Sequence, residues 1–368
     1  MAREMSESKK VNEAWINEAL KDGLARGIAC FDVRDYIMGK VSRAYPRNKE
    51  YQEGFNSENI FLKTAVGKKY ACEKKTDYDY DTCLFTLAVF QKLMFPNEGE
   101  IIWKNDNQYK YNECRLKVND VEYRGDTMNS WSTTVNRYIN YFGNKHLNYL
   151  ILTKSKIYGR PQEYPKWEDF LAVSENYRDD KPFPSYITDF MDIVYTIGNF
   201  IPLPNKSHQS KDTLNKKRGS CCGNSKDYWD LALLCFYNYY LEKEGKPKGN
   251  YPKCNLEWLF EKEELVSEAE EWLDIFETWD GFVTCNFMQP FVGLDSNGKY
   301  GEPKELWDKH FENVGKGKDS VLPSFLSEGQ KSIEDNFKQF FNNATERILA
   351  RGRRIGNALM KELNKEKV

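Results

Sequence analysis

The stretch RGDTMNSWSTTVNRYI, Arg124 to Ile139, crowds two arginines, an aspartate and a series of amide and hydroxyl side chains into about four helical turns. These residue types suit phosphate recognition. Arginine forks hold phosphate oxygens, and amides at a helix start add partial positive charge. A strand-like run leads up to Gly125, and Trp131, Val135, Tyr138 and Phe142 follow at helical spacing. A helix is therefore expected to begin within two residues of Asp126, with the Asp126 carboxylate as its N-cap. Asn129, Ser130, Thr133 and Arg137 would then line one polar stripe, with Arg124 beside it. The plainer alternative is a polar face satisfied within the protein or by water.

Two further segments carry similar chemistry. In YTIGNFIPLPNKSHQSKDTLNKKRGSCCGNSKDYWD, Tyr195 to Asp230, a helix is expected to stop at Gly198-Asn199. A basic loop then carries Arg218-Gly219, and the next helix is expected near Ser225, with Asp227 and Asp230 one turn apart. Asn199 and Arg218 are candidate ligand contacts. Asp126 and Asp227 are the candidate catalytic groups, as base or metal ligand. In ATERILARGRRIGNALMKE, Arg347, Arg351 and Arg354 recur at i, i+4 and i+7, one arginine face on a helix. That face serves either phosphate or ion pairs with the acidic region 262–280. On the ligand reading Arg351 turns into a cavity only partly paired, and Arg351→Ala leaves the empty protein about as stable or slightly more so.

Standard signatures are missing: there is no GxGxxG, GxxxxGK[ST], GxSxG or HExxH. Of the three histidines, His146 sits just past the polar helix and is the best placed for a base. Cys221-Cys222 follows His208, but no second ligand pair has zinc spacing, so no metal site is expected. No cofactor is identifiable. ADP-ribosyl transfer through Arg124, Ser132-Thr133-Thr134 and a later glutamate would require looser spacing than such sites use.

These groups need a scaffold. Residues 11–40 read as a helix, and DYDYDTCLFTLAVFQKLMF as another, capped near Asp81 or Thr82. GEIIWKND and YKYNECRLKVNDVEYRG read as strands, with Asn119-Asp120 as a hairpin turn and a further short strand at LNYLILTKS. YITDFMDIVYTIGNFIPLP begins as a helix, and residues 203–224 read as loop. DYWDLALLCFYNYYLEKEG is a helix with a glycine stop. NLEWLFEKEELVSEAEEWLDIFETWDGFV holds one or two amphipathic helices, and SIEDNFKQFFNNATERILARGRRIGNALMKELNKE one long helix. The expected fold is α+β: a predominantly helical single unit with a small antiparallel sheet around residues 100–155. Residues 1–75 form a helical and loop extension, 76–356 the core and 357–368 the helix end.

The chain has 368 residues, 40% hydrophobic and 15% aromatic, which is enough for a sizeable core. A net charge of −2 argues against a polycation that coats nucleic acid, though not against a local basic patch. No apolar run approaches a membrane span, and the polar start MAREMSESKKVNEAW has no signal-peptide core. A cytoplasmic location is expected. Nine scattered cysteines, an odd number, are expected to be reduced.

The blocks DTMNSWSTT, YTIGNFIPLP…RG…DYWDLAL, FETWDGFVTCNFMQPFV, GEPKELWDKHF and RILARGRRI resemble the recurring blocks of a bacterial family of unknown function, over roughly residues 76–356. Trp131 stands where such proteins more often carry phenylalanine. The resemblance implies no mechanism. By position it singles out Asp126, Thr127, Asn129, Ser130, Thr133, Gly198, Asn199, Pro202, Arg218, Gly219, Asp227, Asp230, Arg347 and Arg351. The expected function is binding of a phosphate-containing small molecule or nucleic-acid end in a polar pocket. An enzyme acting on a nucleotide or nucleic acid would be built on such a pocket. The alternative is a non-catalytic protein-interaction module. Neither reading involves a membrane.

Overall fold

Asn119 turns the chain at φ 52°, so that Val118 faces Val121 and two strands run back along each other. In the computed structural model, residues 84–96, 98–106, 111–129, 184–193, 196–204, 228–313 and 333–365 are described, with isolated positions among residues 9–21 and at 214 and 226. Five strands build the sheet: β1 (Lys9–Lys10), β2 (Gly99–Asp106), β3 (Tyr111–Val118), β4 (Val121–Thr127) and β5 (Phe200–Pro204). They lie in the order β1-β2-β3-β4-β5, every pair antiparallel.

Seven helices are described: α1 (Leu84–Leu93), α2 (Ser185–Ile193), α3 (Trp229–Lys243), α4 (Leu256–Phe260), α5 (Glu263–Asp274), α6 (Trp279–Cys285) and α7 (Ile333–Lys365). A small hairpin, β6 (Val292–Leu294) with β7 (Tyr300–Pro303), follows α6 in the chain. The α+β architecture expected from the sequence is therefore present. The sheet gains a strand from beyond residue 155, however, and the acidic amphipathic segment folds as three helices. The helix expected near Ser225 begins at Trp229, with Tyr228 as the residue before it. The N-terminal helix appears at residues 13–14, 16–17 and 20–21, where Ile16 and Leu20 enter the core. The strand expected at LNYLILTKS lies outside the described residues.

One apolar cluster joins sheet and helices. Helix α1 is apolar on nearly all sides, with Phe85, Leu87, Ala88, Val89 and Phe90 buried, as befits a helix enclosed by the core. On α2, Phe190 meets Phe341 of α7 edge-on at 5.2 Å. Phe236, Trp272, Phe276 and Phe282 form a second aromatic knot around α3, α5 and α6, with neighbouring ring centroids 5.4–6.0 Å apart. Such edge-to-face pairs add stability beyond their buried area. Among the described residues no helix is long and apolar enough to cross a membrane, and Cys235, Cys254 and Cys285 are free thiols.

Candidate functional site

The strand β5 was hidden by its prolines. Proline lacks an N–H and is confined to edge strands. Asp126 faces Ile201, with Gly125 opposite Pro202 and Tyr123 opposite Pro204. Met128 N donates to Asn199 O at 2.7 Å, which marks that pair as hydrogen-bonded. Bonded and non-bonded pairs alternate along an antiparallel ladder. Pro202 and Pro204 therefore fall at non-bonded positions on the outermost strand, where a missing N–H costs nothing.

Asp126 consequently does not cap a helix. It sits 6% exposed within β4, and the expected N-cap is wrong. The run VEYRGDT continues as strand through Gly125 and Asp126 because β5 is there to pair with it. Arg124 lies half-buried on the same strand, opposite Leu203.

Beyond Thr127 the ladder is extended by a side chain. Asn199 Oδ1 accepts from Asn129 N at 3.1 Å, and Asn199 Nδ2 donates to Asn129 O at 3.0 Å. The carboxamide offers a donor and an acceptor in one plane and so substitutes for one more backbone residue. It has to, because residues Ile197–Asn199 turn as a 3₁₀ helix before β5 begins. Gly198, at the centre of that turn, lies against α7. A Cβ there would meet Ile348 O at 2.1 Å and Gly352 N at 2.9 Å. Only glycine permits so close an approach.

Arg351 of α7 reaches into this contact and is wholly buried. Its Nη1 donates to Gly198 O at 2.9 Å, Phe200 O at 2.8 Å and, more weakly, Ile197 O at 3.2 Å. Its Nε donates to Asn286 O at 2.9 Å. All these partners are neutral carbonyls, and burial alone lowers the Arg351 pKa to about 9. Among the described residues Arg351 Nη2 is buried with no partner, as are Asn129 Oδ1 and Nδ2 and Asn286 Oδ1. Each such atom costs about 1–3 kcal/mol unless something meets it, and native proteins contain few. The expectation that Arg351→Ala leaves stability unchanged is reversed by this geometry, because the substitution would strand the carbonyls Arg351 now holds.

The arginine face therefore divides. Arg347 donates to Lys304 O and Glu305 O, each at 2.8 Å, and not to the acidic 262–280 region. Burial is again the first cause of its lowered pKa. Arg354 is exposed. Of the expected site residues, Asn199 binds Asn129 and Arg351 holds the carbonyls on either side of Asn199, while Asp126 lies in β4 opposite Ile201. Ser130, Thr133, Arg137, Arg218 and Asp227 lie outside the described residues, as does His146.

A second polar centre was not anticipated. Asp230, 1% exposed in the first turn of α3, accepts from Leu231 N at 3.0 Å and from Leu306 N at 2.8 Å. Its Oδ2 also lies 2.6 Å from His310 Nδ1. His310 is wholly buried and stacks on Trp307 at 3.6 Å between ring centroids, with Tyr228 edge-on. His310 Nε2 and Trp307 Nε1 have no partner. The available signal was an aspartate inside the apolar run DYWDLAL, where burial demands compensation. Among the described residues no three potential metal ligands gather.

Residues 164–355, just over half of the chain, match a family of unknown function, DUF6994. No curated protein and no solved structure matches. Gly198, Asn199, Asp230, His310, Arg347 and Arg351 all fall inside that span, whereas Asp126 and Asn129 precede it. A match of that extent establishes that the chain belongs to DUF6994, a family of unknown function.

Proposed function

We propose that this is a cytosolic protein that binds a phosphate-bearing ligand of nucleotide type and takes up the ligand's anionic group beside Arg351. The observation that carries the reading is a wholly buried guanidinium that, among the described residues, has no carboxylate partner and an unpartnered Nη2. An uncompensated buried cation costs several kcal/mol. The carbonyl dipoles offset part of that cost, and an anion would offset more. Arginine also matches phosphate geometry through its planar fork. The free Asn129 carboxamide and Asn286 Oδ1 supply donors and acceptors for the remainder of the ligand. The node is closed, with Arg351 and Asn286 0% exposed, so the protein must open locally to admit it. A catalytic version would use Asp126 or Asp227 as base.

Thermal unfolding with inorganic phosphate, AMP and ATP tests the reading. A ligand at about 100 times its Kd stabilises by about 2.7 kcal/mol. The wild type is expected to respond. Asn129→Ala keeps the backbone pair with Asn199, so it should retain stability while losing most of the response. A wild-type melting temperature indifferent to all three anions would refute the reading. It would leave the other one, a non-catalytic interaction module. That reading is favoured by the fact that every hydrogen bond found for Arg347 and Arg351 goes to a main-chain carbonyl.

A further inference from the structure

The outer face of α7 presents a charge pattern that the buried arginines do not explain. From Arg347 to Lys361 the helix carries no aspartate or glutamate. Surface helices ordinarily interleave charges of opposite sign at i+3 and i+4. Here Arg353, Arg354 and Lys361 are exposed and make no ion pair or side-chain hydrogen bond among the described residues. Asn357 and Met360, the latter 37% exposed, lie between them. Lys365 ends the row, paired with Glu362 at 2.9 Å. Arg354, Asn357, Lys361 and Lys365 follow at three- and four-residue steps, and Arg353 and Met360 form a parallel row. From Arg353 to Lys365 the face extends about 18 Å.

We propose that this face docks the phosphate backbone of a nucleic-acid strand. The argument is charge complementarity. The chain as a whole is slightly acidic, at −2, yet along one straight face it concentrates cations that have no partner among the described residues. Two of the three are arginines, whose forks engage phosphate in two contacts at once. A row of alternating amide, thioether and cation has no apolar area large enough to be a protein interface core. The inference stands apart from the Arg351 reading, since these side chains point to solvent and Arg351 is buried.

Fluorescence anisotropy of the full chain with labelled oligonucleotides of about 20 residues, single-stranded and duplex, tests it. Three phosphates neutralised predict a log-affinity slope against log salt of about −2 for a single strand and about −3 for a duplex. The double variant Arg353→Glu with Arg354→Glu should lose at least about tenfold in affinity at low salt while melting like the wild type. Arg353→Lys with Arg354→Lys should retain most of the binding. Absence of binding at low salt, wild-type affinity in the charge-reversed variant, or equal affinity for polyglutamate would each overturn the proposal. The phosphate-induced melting shift, read on the same charge-reversed variant, should be unchanged. A failure at this face is therefore separable from a failure at Arg351.

Discussion

Arg351 and Asp230 are wholly buried charges of opposite sign, and each holds main-chain segments in place. Asp230 accepts from two backbone N–H groups and lies at hydrogen-bond distance from His310 Nδ1. Arg351 meets carbonyls only, and one of its nitrogens meets nothing. The carboxylate is a finished arrangement whose oxygens are used. The guanidinium is unfinished, with surplus charge and surplus donors. Arg347 lies on α7 one turn before Arg351, and the Asp230 charge raises its pKa against the opposing effect of burial. The same helix therefore carries one buried cation eased by a carboxylate charge and one without that easing, and the proposed ligand site rests on the second.

Arg351→Met tests the contrast most severely. The substitution fills space and removes the charge but takes the guanidinium from the carbonyls of Gly198, Phe200 and Asn286, while Ile197 O keeps Phe200 N as its donor, so the urea midpoint should fall by the equivalent of about 4 kcal/mol or more. Unchanged stability would mean that the buried charge costs as much as its bonds return.

Gly198→Ala, which forces a Cβ against Ile348 O, should cost about 3 kcal/mol. A loss of less than about 1 kcal/mol by denaturant unfolding would mean that the turn shifts off the α7 main chain at little cost.

Asp230→Asn keeps the shape but turns one acceptor into a donor facing Leu306 N or His310 Nδ1. A loss of about 2 kcal/mol is expected by denaturant unfolding. A loss as large as that of Arg351→Met would erase the distinction between the two centres.

The smallest effect belongs to Glu302, a half-buried carboxylate. Its Oε1 has no partner, and burial raises its pKa above the usual carboxylate value. A folded pKa above the unfolded one means that folding favours the protonated form. Its contribution is present below the unfolded pKa and lost as pH rises through the folded one. Glu302→Gln should therefore gain less than about 1 kcal/mol at neutral pH and nothing below about pH 4.

What was readable in the sequence follows from which forces act locally. Helices α3 and α7 and the strands through β4 announce themselves through periodicity and the Asn119 turn, because short-range pattern fixes them. Strand β5 was unreadable for the opposite reason. FIPLP has poor strand chemistry, and only its edge position beside β4 makes two prolines harmless. That one omission displaced Asp126 from its strand into an imagined helix cap. Asn129, Asn199 and Arg351 stand out in the sequence by their types alone. Their joining could not be seen, since it depends on a turn docking against a helix about 150 residues further along the chain. The Asp230–His310 pair is not legible because the apolar run marks only the aspartate, and its partner lies 80 residues further along the chain. Arg354 was wrongly grouped with Arg347 and Arg351 by spacing alone.

The side-chain continuation of the ladder by Asn199 also bears on where this protein can be cut. Its partner Asn129 and the whole of β4 precede residue 164, where the family match begins, while Leu359 and Leu363 are buried beyond residue 355, where it ends. A fragment trimmed to the shared sequence would carry β5 with both edges bare, Asn199 with an idle amide, and α7 shorn of two core turns. An unpaired strand edge is an invitation to self-association. Such a fragment is expected to aggregate when expressed alone. The span that matches the family is therefore smaller than the portion of this chain that must fold together.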